Sequence, residues 1–224
     1  MSSKSHRSAL LDLIATHSFK LGEFTLASGL KSDYYIDCRT TTLHAEGGRL
    51  AGLVLYQLIR AHMPSAVAVG GLTMGADPLV SNVASASAWA LADYNEVRTL
   101  SGELGLEEDE QGPAPTLLHG FLVRKAEKTH GTGRRIEGFL QPGAQVVIVD
   151  DVCTTGGSTV TAIEAAREAG MTVAGVLCLV DREQGGRLII ERALAEVPSE
   201  EDLPFICVFT AKDVRKAHVA LKGH

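Results

Sequence analysis

Cysteine, aromatic residues and long apolar runs are all scarce in this chain. Its four cysteines, Cys38, Cys153, Cys178 and Cys207, lie far apart and form no CxxC pair. That spacing excludes a disulfide scaffold and offers no thiolate pair for zinc. Cys153, Cys178 and Cys207 sit in or beside apolar runs, so the cysteines read as buried reduced thiols of a cytoplasmic protein. No stretch approaches the roughly 18 apolar residues that suggest a membrane span. The N-terminal apolar run is broken by Asp12 and His17 and lacks a small-residue cleavage site, which argues against a secretory signal. Positive charge is not in excess either. Lys+Arg number 21 against 27 Asp+Glu, a net charge of −6. A broad basic face for reading nucleic acid is not expected, and neither nucleic acid nor membrane is an expected partner.

What the sequence has is a core. With 224 residues and 45% hydrophobic content, such a chain buries roughly 70% of its unfolded surface. Apolar periodicity predicts helices over 8–18, 44–62, 75–92, 159–170 and 187–196, and a last helical turn at AKDVRKA. Pro78 suits the first turn of its helix. Continuous apolar runs predict buried strands over 66–71, 145–151, 172–180 and 204–209, with another at 120–125. FTLASGLKSDYYID reads as two extended runs around Ser28-Gly29. Residues 95–118, with acids Glu107, Glu108, Asp109 and Glu110 among glycines and prolines, read as a solvated surface insertion. Apolar strands alternating with helices imply an α/β fold whose mostly parallel sheet is covered on both faces. In such folds ligands bind outside the carboxyl ends of the strands.

One strand end stands out. VVIVDDVCTTGGSTVTAI closes an apolar strand with Asp150 and Asp151, then runs through Val152, Cys153, Thr154, Thr155, Gly156, Gly157 and Ser158 into a helix. Glycines admit an anion to backbone N–H groups, hydroxyls add donors, and a helix N-terminus favours negative charge. This is a cradle for a monophosphate. The two carboxylates beside it can accept from vicinal hydroxyls or hold hydrated Mg²⁺. No Lys follows the glycines, so it is not a Walker A loop, and no GxGxxG follows a strand. An ordinary capped strand–helix turn explains one hydroxyl and one glycine, not this set.

The segment resembles the 5-phosphoribosyl-1-diphosphate (PRPP) motif of type I phosphoribosyltransferases. Three further segments resemble orotate phosphoribosyltransferases in particular. GEFTLASGLKSDYYIDCR (22–39) is similar to their N-terminal hood, VRKAEKTHGTGR (123–134) to their mobile catalytic loop, and LVDREQGG (179–186) to the segment facing orotate. The resemblance implies a single type I phosphoribosyltransferase domain. Its hood would span about 1–42 with C-terminal elements, and its PRPP-binding core about 43–186. It implies transfer of phosphoribose from PRPP to orotate, giving orotidine 5′-monophosphate and pyrophosphate in pyrimidine (UMP) biosynthesis, with Mg²⁺ as cofactor. It also implies a homodimer that shares the loop across its interface.

By the same resemblance Lys128 and His130 act on the leaving group with Asp150 and Asp151 as catalytic companions. Arg124, Lys125, Thr73, Met74 and the 150–158 segment bind PRPP. Arg182 pairs with the orotate carboxylate, Thr154 touches orotate, and Tyr34 and Tyr35 cover its ring. Mg²⁺ arrives mainly on PRPP, with Asp150 and Asp151 reaching it through water. Members often carry Lys where this chain has Ala27, and Tyr-Lys where it has Thr73-Met74; both departures remove a cation near the diphosphate. Leu72–Thr73 is the expected site of a non-proline cis peptide. Other readings of the same fold are a purine phosphoribosyltransferase and a PRPP-binding regulator without chemistry.

Overall fold

A computed structural model describes residues 5–25, 31–103, 113–125, 135–196 and 203–223. The chain begins with α1 (His6–Leu13), capped by the Ser5 side chain, which accepts from the Ser8 N–H. A wider π-helical turn (Ile14–Ser18) leads into β1 (Phe19–Thr25), which pairs antiparallel with β2 (Lys31–Ile36). The short α2 (Arg39–Thr42) and the long α3 (Ala45–His62) follow. Then come β3 (Ala68–Leu72), α4 (Asp77–Glu103), β4 (His119–Val123), β5 (Ile136–Gly138) and β6 (Gln145–Cys153). The chain finishes with α5 (Gly157–Glu168), β7 (Thr172–Asp181), α6 (Gly186–Ala195), β8 (Phe205–Thr210) and α7 (Ala211–Lys222).

The six-stranded sheet has the order β5-β4-β3-β6-β7-β8. All its pairs are parallel except β4–β5, so β5 is an antiparallel edge. Val146, Val147, Ile148 and Val149 of β6 are all buried, as expected for a central strand covered on both faces. On one face Leu10, Leu55, Leu79 and Val214 join α1, α3, α4 and α7 to the sheet. On the other, Ile163 and Ile190 bring in α5 and α6. A capping box starts α7: Thr210 accepts from the Asp213 N–H, and the Asp213 carboxylate accepts from the Thr210 N–H.

Several elements differ from the sequence expectations. Helix α4 runs to Glu103, so the first part of the stretch read as a surface insertion is helical. Residues 93–101 contain neither glycine nor proline to stop it. At the far end of that stretch Leu118 is buried, and its N–H donates to Ser87 Oγ at 2.9 Å. Glu107, Glu108, Asp109 and Glu110 lie outside the described residues. The expected last helical turn is the 12-residue α7. Strand β5 and helix α2, of three and four residues, are too short to carry a period. Among the described residues no helix is long and apolar enough to cross a membrane.

Candidate active site

The carboxyl ends of β3, β4, β6 and β7 open into one cleft of about 550 Å³, roofed by β2 and the turn after it. Each strand end delivers a different group. Beyond β3 come Thr73 and Met74, beyond β4 Lys125, and at the end of β6 Asp150, Asp151, Val152 and Thr154. Beyond β7 comes Arg182. Ser158 lines the cleft from the first turn of α5, and Tyr35 from the roof. The sequence reading thus placed ten lining residues from five segments. It missed Ile36, Asp37, Arg39, Leu72 and Gly75, which also line the cleft. Lys128, His130 and Ala27 lie outside the described residues.

Three of the expected site residues, and the expected cis peptide, are placed differently. Arg124 does not line the cleft; its guanidinium pairs with Glu137 of β5 at 2.9 Å. Tyr34 does not line it either, because successive strand residues face opposite ways. Its ring stacks on Phe19 with centroids 5.5 Å apart. Cys153 is buried under the cradle. The non-proline cis peptide is Thr73–Met74, one bond later than expected. The Thr73 N–H donates to the Val123 carbonyl at 2.9 Å, which holds the Leu72–Thr73 junction in the β3–β4 ladder. The backbone leaves strand geometry only after it.

The phosphate cradle is shaped by two glycines. Gly156 has φ of +81°, a left-handed conformation that disfavours any side chain. It turns the chain so that α5 starts at Gly157 with its first N–H groups free of intrahelical partners. Gly186 lets the start of α6 pack against the loop. A Cβ there would stand 2.5 Å from Cys153 Sγ and 2.7 Å from the Thr154 carbonyl. The Gly186 N–H in turn donates to that carbonyl at 3.1 Å. Thr155, Gly157 and Ser158 are solvent-facing, as a loop that receives an anion must be.

Asp150 and Asp151 stand side by side with different surroundings. Asp150 is 9% exposed. Its carboxylate accepts from Thr159 Oγ1 at 2.7 Å and from the Asp151 N–H at 3.0 Å. Burial pushes its carboxyl well above the usual carboxylate range. The Thr159 hydroxyl opposes that shift and the charge of Asp151 reinforces it. Asp151 is raised too, first by burial, against the opposing Val152 N–H. Two neighbouring acids with raised proton affinity await a cation or hydroxyl donors. Among the described residues no third His, Cys, Asp or Glu completes a metal cluster. The donor set therefore fits Mg²⁺ only as the ion usually meets phosphates, through one or two carboxylates plus substrate oxygens and water.

A prediction follows from these acids. A carboxyl whose folded value is raised contributes most stability below its unfolded value of about 3.9. That contribution is lost as pH rises through the folded value. Asp150→Asn should therefore melt higher than the parent near neutral pH, by on the order of 1 kcal/mol or roughly 2–4 °C. The gap should close in mild acid. An amide can still accept from the Asp151 N–H and donate to the Thr159 hydroxyl. The same variant should bind PRPP more weakly. Calorimetric melting across pH and PRPP titration read the two effects.

Arg182 closes the other end of the cleft. Its N–H donates to the Cys153 carbonyl at 2.9 Å, which extends β7 along β6. Its guanidinium lies over the Tyr34 ring, 4.9 Å from the centroid, and reaches Ser32 Oγ at 3.5 Å. The residue is 8% exposed, and its Nε has no hydrogen-bond partner among the described residues. The neighbouring acid is otherwise engaged. The Asp181 carboxylate accepts from the Glu183 N–H at 2.7 Å and lies 3.6 Å from Arg187. A buried guanidinium with an open donor and no acid partner among the described residues calls for an anion.

The comparisons with known proteins agree with this geometry. Residues 55–197 match the family model for the phosphoribosyl transferase domain. Orotate phosphoribosyltransferase from Rhodopirellula baltica is 40% identical over 183 residues, covering 79% of this chain and 81% of that protein. The Synechocystis enzyme of the same name is 39% identical over 214 residues, covering 95% and 90%. The crystal structure of Mycobacterium tuberculosis orotate phosphoribosyltransferase with Fe(III) dicitrate superposes with a TM-score of 0.69 at 32% identity, covering 94% of this chain and 99% of that one. Its complex with PRPP gives 0.62 at 26%, covering 95% and 93%. By its strand-end cleft, its phosphate cradle and these relatives, the chain belongs to the orotate phosphoribosyltransferases, within the phosphoribosyltransferase family.

Proposed function

We propose that this chain transfers the 5-phosphoribosyl group from PRPP to orotate, releasing pyrophosphate and orotidine 5′-monophosphate in the cytoplasmic synthesis of pyrimidine nucleotides. The observation that carries the reading is Arg182. A guanidinium fork suits a planar carboxylate, and orotate, unlike adenine or hypoxanthine, carries one. With the base carboxylate on Arg182, the 5′-phosphate would take the hydroxyls and N–H groups of Thr154 to Ser158. The ribose hydroxyls would face Asp150 and Asp151.

Glycosyl transfer of this kind leaves little covalent chemistry to the protein. The ribose gains oxocarbenium character as the diphosphate leaves, and inversion at the anomeric carbon follows from in-line attack by the base. The chain's work is to hold both reactants in line and to exclude water. Mg²⁺, when bound with PRPP, neutralises leaving-group charge. Asp150 and Asp151 would hold that ion through water and orient the sugar. Lys128 and His130 would add cations to the departing diphosphate. The working unit is proposed to be a homodimer in which the loop of the 123–134 segment, with Lys128 and His130, serves the partner's cleft.

Pyrophosphate release tests the reading. Release from PRPP should require orotate and stop on chelation of Mg²⁺. PRPP bound without release in the presence of orotate would instead favour a PRPP-binding regulator.

A further inference from the structure

The cleft has a second arginine with no assigned task. Arg39 begins α2, directly after the roof strand, and lines the cleft with Met74, Gly75 and Asp151. Asp37 holds it from three directions. The Asp37 carboxylate accepts from the Arg39 backbone N–H at 3.1 Å, from Nε at 2.9 Å and from one terminal nitrogen at 2.8 Å. A guanidinium has five N–H donors. Asp37 takes two of them, and the rest have no partner among the described residues. The fork is thus locked in direction while one edge stays open, which removes much of the rotamer cost of binding an anion.

The surroundings say which anion. Where a Cβ on Gly75 would stand, Asp151 Oδ1 is 2.5 Å away, so the loop after β3 lies directly against the strand-end acid. Arg39 and Asp151 line the same cleft, and their charges act on each other. The β3 loop has no cation of its own: Thr73 is neutral and Met74 is 66% exposed. The base is assigned to Arg182 and the 5′-phosphate to the cradle before α5, which leaves the diphosphate for Arg39. We infer that Arg39, oriented by Asp37, contacts the diphosphate of PRPP at the β3 loop and supplies the cation that Thr73 and Met74 do not.

This rests on the reading of the cleft as a PRPP site, and the test separates the two. Titrate PRPP with Mg²⁺ into the full-length protein and into Arg39→Ala, Arg39→Lys and Asp37→Asn, and measure the KM of each substrate alongside. The inference expects Arg39→Ala to weaken PRPP about tenfold or more, with the KM for orotate and the melting temperature little changed. Arg39→Lys should recover part of the loss, because a cation returns without the fork. Asp37→Asn should fall between, because the guanidinium stays but loses its clamp. Wild-type PRPP affinity in Arg39→Ala overturns the inference. So does an equal loss for both substrates accompanied by a lower melting temperature, which would make the pair a structural staple. If the parent binds PRPP but converts no orotate, the acceptor reading fails, and the binding titration still decides the role of Arg39.

Discussion

Arg182→Ala should weaken orotate about 100-fold, while PRPP affinity stays within about threefold. The selectivity follows from position. Arg182 sits at the end of β7 beneath Ser32 and stacks on Tyr34. The cradle of Thr154 to Ser158 belongs to the β6–α5 turn. The magnitude follows from burial. A charge-assisted, two-pronged contact in a site excluding water is worth about 3 kcal/mol, and about 1.4 kcal/mol is tenfold in affinity. Arg182→Lys should recover little, since an ammonium cannot present the fork. The KM for each substrate and calorimetric titration of each alone check this. Equal weakening of both substrates would move Arg182 away from the base.

Lys128→Ala should lower kcat on the order of 1000-fold, with the circular dichroism spectrum unchanged. The charges lining the cleft explain the size. Its acids are Asp37, Asp150 and Asp151, and its cations are Arg39, Lys125 and Arg182. These cancel formally, and Asp37 already occupies part of Arg39. PRPP brings a monophosphate and a diphosphate into that balance. Mg²⁺ offsets part of the added charge. Charge grows further on the diphosphate as the glycosidic bond breaks, so cations from the 126–134 segment matter most in the transition state. Single-turnover kinetics should place the loss in the chemical step, with PRPP affinity changed less than kcat. If the working unit is the proposed homodimer with the loop serving the partner's cleft, mixing Lys128→Ala with Arg182→Ala chains should restore part of the activity, because one mixed dimer then assembles one intact site. A full-rate Lys128→Ala enzyme would remove the leaving-group role.

The cradle was legible in the sequence because it is contiguous. Asp150 through Ser158 closes one apolar strand and opens one helix, so local order alone brings its groups together. The large helices and central strands were legible for the same reason: their apolar periods are long. Tyr34 and Tyr35 show what a contiguous motif leaves open. Both stand in KSDYYI, but strand alternation sends Tyr35 to the cleft and Tyr34 onto Phe19 beneath Arg182. Asp37 and Arg39 were missed because their meaning depends on the turn after β2, which wraps the arginine onto the acid. The signal was an acid and a base two residues apart at a strand end. Arg124 was drawn out of the cleft by Glu137, on an edge strand too short to read from sequence. The position of the cis peptide depended on how far the β3–β4 ladder extends, which only pairing reveals.

The most direct measurement follows the loss of orotate ultraviolet absorbance on mixing the protein with PRPP and Mg²⁺, with adenine and hypoxanthine as rival acceptors in parallel. Rapid Mg²⁺-dependent loss with orotate, and no product from either purine, is the expected result. Turnover of a purine base with orotate untouched would contradict the account, because Arg182 would then face no carboxylate.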